Sequence, residues 1–344
     1  MVEFKNVHKR YGEVTAVDDV SFRIEPGTLC TLLGPSGCGK TTTLRLIAGL
    51  EMVSSGTITI GGRDVTSAPA SERDVSMVFQ SYALFPHMNV LENVAYGPSV
   101  SGDRDAKEKA LQKLRMVGLV AFASRMPSEL SGGQQQRVAV ARALVLEPQV
   151  LLFDEPLSNL DAKLRRRVRE EIRELQQSLG LTVAYVTHDQ QEALAVSDKI
   201  IVMSNARIAQ IGAPRELYEA PRDRFVADFI GDANLIEAEL GAHDGRRAPV
   251  RIGGLEVQLE HRGAAPGPVR VAIRPESIVL RKENASPLKG KVSKAAYLGT
   301  HMEYTVEAPV GQLFVVDRDV SRPIAAGTEV SIALSDHGVA LVPG

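Results

Sequence analysis

The sequence predicts an α/β domain built on a parallel sheet, followed by an all-β domain. In the first part of the chain, short and continuously apolar runs alternate with helical stretches, as in strands buried on both faces. After residue 234 the apolar residues alternate with polar ones, and Gly and Pro interrupt them about every ten residues. A chain of 344 residues has the length for two domains or three.

The composition excludes several classes of protein. Hydrophobic residues make up 44% and charged residues 24%, and the net charge of −2 provides no general basic field for nucleic acid or a membrane surface. No apolar run reaches the roughly 18 residues of a membrane span, and the polar N-terminus is not a signal peptide. The cysteines, Cys30 and Cys38, favour a reducing, cytosolic compartment over a disulfide framework. A role at a membrane would therefore require a partner.

Four apolar runs define the predicted parallel sheet: residues 27–34, 74–80, 149–155 and 181–188. Over 161–180 the apolar residues recur at spacings of three and four, which predicts a helix. From about 82 to 148 no strong strand pattern occurs, and Asn89 precedes Glu92 at capping-box spacing. This segment is predicted to be a helical insertion. We place the domain junction in "DFIGDAN", at 228–234, so the expected domains are 1–234 and 235–344.

A phosphate-binding loop is predicted at 34–41, "GPSGCGKT", because it fits G-x-x-x-x-G-K-[ST] between a strand and a helix. Its backbone N–H groups would surround an anion at the helix N-terminus. Lys40 would neutralise the β- and γ-phosphates, Thr41 would ligate Mg²⁺, and Thr42 would add a second hydroxyl. The position of Cys38 predicts a lowered pKa. A glycine-rich turn without a ligand is the alternative. The candidate ATP-binding residues here are Gly34, Pro35, Ser36, Gly37, Cys38, Gly39, Lys40, Thr41 and Thr42.

Three polar side chains end two of the predicted strands, at the edge where open α/β sheets bind ligands. Asp154 would hold Mg²⁺ through water, and Glu155 would be the general base that orients the attacking water. His188 ends the next strand, where a γ-phosphate would lie. The alternatives are a solvated strand end for the two acids and a structural role for the histidine.

The segment 130–137, "LSGGQQQR", has the features of a second phosphate cradle but contains no lysine. Ser131 can cap the helix that follows, and Gly132 and Gly133 expose N–H groups at its positive end. An ordinary capped helix is the alternative.

In their order along the chain, these motifs resemble those of the ATPase subunits of ATP-binding-cassette (ABC) transporters. "LSGGQ" is the signature motif of that family, and it lies here between the phosphate loop and "VLLFDE". The resemblance covers essentially the whole chain and is strongest to importer ATPases with a C-terminal β-rich domain, for which "VAIRPE" (271–276) and "YLG" (297–299) are marks. It implies an α/β P-loop NTPase domain with a helical subdomain at about 82–148. An all-β, OB-like (TOBE-type) barrel at 235–344 would then serve regulation or dimer contact.

The resemblance also implies roles for further residues. Tyr11 would stack on adenine, and Gln80 would reach Mg²⁺ and the attacking water and move with the helical insertion. His188 would contact the γ-phosphate. The loop 158–161, "SNLD", would touch the opposite subunit. In a head-to-tail dimer, residues of one subunit would cover the ATP bound by the other. These residues are Ser131, Gly132, Gly133, Gln134 and Asp161.

The implied activity is ATP hydrolysis with Mg²⁺ that drives import of a small solute. The chain would lie on the cytoplasmic face of the inner membrane as a peripheral subunit. Its partners would be a second copy of itself, two transmembrane permease subunits and, indirectly, a solute-binding protein, but no nucleic acid. Ferric iron or a polyamine is the expected solute, on overall resemblance alone.

Two other functions are weighed against this one. A nucleic-acid-associated cassette ATPase would usually carry a long coiled-coil insertion or two cassettes in one chain, and an exporter ATPase would lack the β-rich extension. The basic run 163–170, "KLRRRVRE", suggests nucleic acid. However, Glu170, Glu171 and Glu174 lie at helical spacing, which favours a salt-paired surface helix.

One turn departs from the family pattern. In "MSNARI" the chain has Ala206 where the family usually has Gly. A two-residue type I′ turn would require a positive φ at Ala206, so we expect a different turn there.

Overall fold

The computed structural model describes residues 1–242, 244–282 and 286–343, which form two compact units. The first unit is Met1–Pro214, and the second begins at Arg215. The expected junction at 234 therefore lies inside the second unit. None of the helices within these described ranges combines the length and the apolar composition that crossing a membrane requires.

The strands of the first unit are β1 (Val2–Tyr11), β2 (Val14–Ile24), β3 (Leu29–Leu33), β4 (Ser55–Ile60), β5 (Arg63–Asp64), β6 (Val75–Val78), β7 (Val150–Asp154), β8 (Val183–Thr187), β9 (Lys199–Ser204) and β10 (Arg207–Gly212). Its helices are α1 (Lys40–Ala48), α2 (Val90–Val100), α3 (Ala106–Met116), α4 (Gly132–Leu144), α5 (Ala162–Leu179) and α6 (Gln190–Val196).

The central sheet has the strand order β10-β9-β3-β8-β7-β6, and only β10 runs antiparallel to its neighbour. The four predicted strands are confirmed as β3, β6, β7 and β8. Leu33 pairs with Thr187, and Asp154 pairs with Val186, so β3, β7 and β8 end at the same edge. The segments that follow these strands therefore emerge together.

A second, antiparallel sheet with the order β2-β1-β4-β5 was not predicted from the sequence. Its inward side chains share a core with α1 and the central sheet, and Phe4 stacks on Phe22 with ring centroids 4.5 Å apart. The sheet therefore covers one face of α1, the helix that follows the phosphate loop.

Helices α2, α3 and α4 occupy the segment between β6 and β7, and their apolar faces form a separate core. Asn89 Oδ1 accepts from the Glu92 amide and Glu92 Oε2 accepts from the Asn89 amide, each at 2.8 Å. The predicted capping box is therefore confirmed at the start of α2.

The basic run of α5 is paired with carboxylates, as predicted. Arg166 lies 3.4 Å from Glu170, and Arg167 lies 3.8 Å from Glu171, both one helical turn along the chain. In the second half of α5, Arg173 forms an ion pair with Asp198, which precedes β9.

The expectation for the turn at Ala206 was wrong. Strands β9 and β10 pair Ser204 with Arg207, which leaves two residues for the turn, and Asn205 and Ala206 have φ values of 48° and 65°. A left-handed alanine costs about 1–2 kcal/mol. Tertiary bonds offset this cost, because the Ala206 carbonyl accepts from the Asp18 amide at 2.8 Å and Arg207 pairs with the Asp18 carboxylate.

Helix α7 (Pro214–Glu219) begins at the boundary between the units, and the second unit also contains α8 (Arg224–Phe229). Its strands are β11 (Asn234–Leu240), β12 (Arg247–Ile252), β13 (Leu255–Glu260), β14 (Gly267–Ile273), β15 (Ile278–Arg281), β16 (Lys289–Tyr297), β17 (Met302–Ala308), β18 (Gly311–Asp317), β19 (Glu329–Leu334) and β20 (Val339–Val342). They form two antiparallel sheets, ordered β13-β12-β11-β14-β20 and β15-β19-β16-β17-β18, with one shared core.

Arg274 explains why residues 215–233 group with the β-rich unit. Its side chain is 1% exposed and donates to the carbonyls of Tyr218, Ala227 and Ile230. Its guanidinium also lies 4.1 Å from the ring centroid of Tyr218. The helices α7 and α8 are thus held by a residue of the segment that follows β14.

A chain that ends after Pro214 should therefore be more completely folded at its C-terminus than a chain that ends after residue 234. The longer fragment keeps α7 and α8 but lacks Arg274, so three carbonyls lose a charge-assisted bond of about 1.5–3 kcal/mol each. We expect limited proteolysis to cleave the 1–234 fragment within 215–233 and to leave the same segment intact in the full chain. Both fragments should still bind ATP. Equal protection of 215–233 in fragment and full chain would contradict this boundary.

Candidate functional site

The predicted phosphate loop connects β3 to α1 and encloses a buried ammonium group. Lys40 is 6% exposed, and its Nζ donates to the carbonyls of Gly34 and Pro35, at 2.8 Å each. Within residues 1–242, no side chain caps the N-terminus of α1. Its first-turn N–H groups and Lys40 are thus suited to bind an anion.

Close backbone approach requires glycine at two positions of this loop. A Cβ at Gly34 would lie 2.3 Å from the Met203 carbonyl oxygen. At Gly39, where φ is 104°, a Cβ would lie 2.3 Å from the Ala16 carbonyl oxygen. The motif glycines therefore let the loop pack tightly on β2 and on the end of β9. Gly37 also has a positive φ, of 77°, which favours glycine.

The expectation of a lowered pKa for Cys38 was wrong. Its side chain is 4% exposed, and burial raises the pKa of the thiol although Lys40 Nζ lies 3.8 Å from Sγ and acts in the opposite direction. Burial also raises the pKa of Cys30, in β3, to about 12.

Oxygen ligands for a hard cation meet beside this loop. The Thr41 hydroxyl lies near the carboxylate of Asp154, at the end of β7, and favours its charged form. Burial, followed by the charge of Glu155, raises the pKa of Asp154, while the Thr41 hydroxyl opposes that rise. Thr42 is half-buried in the next position of α1. A carboxylate and a hydroxyl at one point fit Mg²⁺, which prefers oxygen ligands.

Glu155 and His188 meet across β7 and β8. Glu155 Oε2 lies 3.1 Å from His188 Nδ1, and the Glu155 amide donates to the Val186 carbonyl at 3.0 Å. Glu155 has a φ of 46°, a left-handed conformation that is unusual for a residue other than glycine. Such strain clusters at functional sites, where the surrounding structure maintains it. The two side chains predicted to act on water and γ-phosphate are thus in contact.

A buried carboxylate under His188 was missed by the sequence analysis. Glu192 accepts hydrogen bonds from the hydroxyls of Tyr185 and Thr187, the latter at 2.6 Å, and its burial raises its pKa. The Thr187 hydroxyl also accepts from the Asp189 amide at 3.0 Å. The residues on both sides of His188 are therefore fixed to the same network. Asp189 followed three residues later by Glu192 is a helix-start signal that could have pointed to it.

Gln80 follows β6 and is exposed. Its carbonyl accepts from Asn159 Nδ2 at 3.0 Å, which joins this loop to "SNLD". In the same segment, Ser158 Oγ donates to the Glu155 carbonyl at 3.0 Å, and Asp161 Oδ1 caps α5 by accepting from the Leu164 amide at 3.0 Å. The "SNLD" loop is thus bonded both to the backbone of Gln80 and to that of Glu155, which follows β7.

Ser131 caps α4 as predicted. Its amide donates to the side-chain oxygen of Gln134 at 2.8 Å, and its Oγ accepts from the Gln134 amide at 3.4 Å. A Cβ at Gly132 would lie 3.0 Å from Leu160, and one at Gly133 would lie 3.1 Å from Leu164. In the described residues, no hydrogen bond links the exposed Ser131 to the phosphate loop of the same chain.

Tyr11, at the end of β1, is 45% exposed. The ammonium of Lys9 lies 4.6 Å from its ring centroid. Burial raises the pKa of the phenol, and the nearby carboxylate of Glu51 adds to the rise.

A phosphate loop, a facing Asp-Glu pair and a histidine at the edge of a parallel sheet define a P-loop nucleoside triphosphatase. The family described as "ABC transporter" matches residues 17–158, and the family described as "TOBE domain" matches residues 271–341. Together with the relatives below, these matches show that the chain belongs to the ABC transporter family, as an ATP-binding subunit that hydrolyses ATP. The expected fold class, including a TOBE-type second domain, is confirmed.

The chain is similar to proteins that match it over all or part of its length. It is 60% identical over 345 residues to the Fe(3+) ions import ATP-binding protein FbpC 1 of Rhizobium meliloti (strain 1021), covering 100% of this chain and 98% of that protein. The FbpC of Vibrio cholerae serotype O1 (strain ATCC 39315 / El Tor Inaba N16961) is 49% identical over 309 residues, covering 89% and 87%. A solved structure, the dimeric post-hydrolysis state of the ATP-binding cassette MJ0796 bound to ADP and Pi, is 33% identical with a TM-score of 0.55. It covers 62% of this chain, which covers 99% of that one.

The raised pKa of Cys38 predicts slow reaction with thiol reagents at neutral pH. The thiolate is the reactive form, and each unit of pKa rise lowers its fraction about tenfold below the pKa. We expect Cys38 to be labelled more slowly at pH 7 than a free thiol compound. Its labelling should accelerate only when the pH rises above the ordinary pKa range of thiols. The variant Cys38→Ser, which keeps Cys30, should label more slowly still. Faster labelling than the reference thiol at pH 7 would contradict the effect of burial.

Proposed function

We propose that this chain is the ATP-hydrolysing subunit of an importer for ferric ions. The observation that carries the proposal is the 60% identity, over the whole chain, to a protein named for Fe(3+) import. It favours ferric iron over a polyamine. The match of both domains to such relatives also favours an importer over a nucleic-acid-associated ATPase or an exporter.

The phosphate loop holds the triphosphate. Lys40 leaves the carbonyls of Gly34 and Pro35 and bonds the β- and γ-phosphates, and the first-turn N–H groups of α1 add further donors. Thr42 lies beside them in the same turn. Tyr11 offers an exposed ring for stacking on adenine.

Thr41, Asp154 and Gln80 hold Mg²⁺. The Thr41 hydroxyl lies near enough to the Asp154 carboxylate to lower its pKa, so two of the three groups are close together, which supports this assignment. When bound, Mg²⁺ neutralises charge on the phosphate oxygens.

Glu155 is the general base. Its carboxylate takes a proton from the attacking water, and the contact of 3.1 Å with His188 orients it. His188 directs its other ring nitrogen toward the γ-phosphate. Gln80 positions the water from the neighbouring loop. The fixed network of Glu192 beneath His188 keeps this arrangement in place.

A second copy of the chain completes each site in a head-to-tail dimer. Ser131, exposed at the positive end of α4, bonds the γ-phosphate held by the partner, together with Gly132, Gly133 and Gln134. The "SNLD" loop, including Asp161, touches the partner. The similarity to a cassette solved as a dimer with ADP and Pi supports this arrangement.

Two permease subunits bind the helical subdomain, and the chain acts as a peripheral subunit on the cytoplasmic face of the inner membrane. Exposed apolar side chains in this subdomain support a protein partner: Tyr96 is 41%, Leu146 52% and Val100 71% exposed. A solute-binding protein delivers the ferric ion to the permeases. The TOBE-type domain serves regulation or dimer contact.

Replacing Glu155 by Gln should stop both hydrolysis and import. The amide keeps the shape but removes the base, so turnover should fall about 10²-fold or more while ATP binding remains. The measurement is ATP-driven uptake of radioactive ferric ion into vesicles containing the chain with its permeases, beside phosphate release. Parent activity in Glu155→Gln would contradict the base assignment. If the parent chain hydrolyses ATP without any ferric uptake, the assignment of ferric ion as the solute is contradicted, and the assignment of the chain as an ATPase stands.

Mixing two inactive variants tests whether Ser131 serves the partner's nucleotide. The Lys40→Ala variant lacks the ammonium group that binds phosphate, and Ser131→Arg places a bulky side chain where the γ-phosphate must fit. In a mixed head-to-tail pair, one site carries both lesions and the other carries none. We therefore expect MgATP to associate the mixed, differently tagged variants, each also carrying Glu155→Gln so that the closed state persists. If Ser131 served its own nucleotide, the mixed pair would associate no more than either variant alone.

A further inference from the structure

The loop after Gln80 has a strained backbone. Tyr82 and Ala83 have φ values of 61° and 47°, so two consecutive residues other than glycine adopt the left-handed conformation. Each costs about 1–2 kcal/mol, and such a pair persists only where surrounding contacts hold it. The Tyr82 ring is 5% exposed and packs into the core of the first unit, which fixes one side of the loop.

A single side chain of α4 holds the carbonyls of both strained residues. Arg142 Nη1 donates to the Ala83 carbonyl at 2.7 Å, and Nη2 donates to the Tyr82 carbonyl at 3.0 Å. Its guanidinium carbon lies 5.5 Å from the ring centroid of Phe85. The two donors of a planar guanidinium hold two adjacent carbonyls in a fixed geometry, whereas the donors of a lysine share one nitrogen at the end of a flexible side chain.

The loop is also held at both ends by other elements. At its start, the Gln80 carbonyl accepts from Asn159. At its end, the side chain of Asn93, on α2, bonds the Phe85 amide and carbonyl at 2.8 and 3.1 Å. Between these anchors, Arg142 connects the backbone of the loop to α4 by hydrogen bonds, and the Tyr82 side chain packs in a core that includes Val140 of the same helix. Because Ser131 caps the other end of this helix, α4 links the signature segment to the loop that carries Gln80.

We propose that Arg142 is a positioning residue that makes Gln80 follow the movements of α4. Binding of a partner's nucleotide at Ser131 displaces the N-terminus of α4, and Arg142 carries that displacement to the Gln80 loop of the same subunit. Occupancy of one site thereby sets the position of Gln80 in the other. This inference rests on the proposed function and deepens it by naming the connection between the two sites.

The test compares Arg142→Met, which removes both donors, with Arg142→Lys, which keeps the charge but has a single donor nitrogen and lacks the planar fork. The matched control is Arg137→Met, on the same helix, because Arg137 contacts Glu171 and the Val117 carbonyl and not this loop. The measurements are the ATP dissociation constant, kcat, the Hill coefficient for ATP in hydrolysis, and amide hydrogen exchange over 80–85.

For Arg142→Met we expect an unchanged dissociation constant, a kcat lowered about tenfold, a Hill coefficient near one, and faster exchange over 80–85. Arg142→Lys should lie between this variant and the parent, and Arg137→Met should match the parent. Parent-like exchange and kcat in Arg142→Met would overturn the proposal. Equal losses in Arg142→Met and Arg137→Met would also overturn it, since they would indicate general destabilisation of α4.

The outcome is distinguishable from a failure of the proposed function. If the parent chain hydrolyses no ATP, the proposed function fails, and the exchange over 80–85 still reports whether Arg142 holds the loop. If the parent hydrolyses ATP cooperatively and Arg142→Met retains that cooperativity, only this inference fails. Arg142→Lys provides the same comparison should Arg142→Met not fold.

Discussion

The parallel register of β3, β7 and β8 is the constraint on which the candidate site depends. Pairing of Leu33 with Thr187 and of Asp154 with Val186 ends these strands at one level. A slip of one residue would turn every side chain of a strand to the opposite face. Such a slip would separate the Thr41 hydroxyl from Asp154, and Glu155 from His188. Burial of these strands on both faces keeps the register, and the candidate reactive groups lie at the strand ends and in the turns that follow.

Backbone strain lies at turns that long-range bonds maintain. Ten residues other than glycine have a positive φ in the described parts of the chain, and four of them are Tyr82, Ala83, Glu155 and Ala206. Each of these four is offset by a partner distant in sequence. Arg142 bonds the first two, the Val186 carbonyl accepts from the third, and the Asp18 amide donates to the fourth. These long-range bonds stabilise the strained turns in the folded chain.

Features with a local cause could be predicted from the sequence. The strands β3, β6, β7 and β8 followed from continuous apolar runs, and the caps at Asn89 and Ser131 followed from residues three positions apart. The N-terminal sheet could not be predicted in the same way, because its pairing joins β1 to β4 across the phosphate loop and α1. Arg142 and Glu192 were missed because their roles come from partners that only the folded chain brings near.

The sequence by itself determined the identity and order of the candidate reactive groups, from Lys40 to His188, because each belongs to a short motif. Only the tertiary structure decided the balance of opposing effects. At Cys38, burial had a larger effect on the thiol pKa than the helix N-terminus. At Ala206, the bonds to β2 outweighed the cost of the left-handed backbone. The hydrogen bonds of Arg274 hold residues 215–233 in the β-rich unit. Desolvation and long-range hydrogen bonds depend on which distant segments are packed together, and a short stretch of sequence does not contain that information.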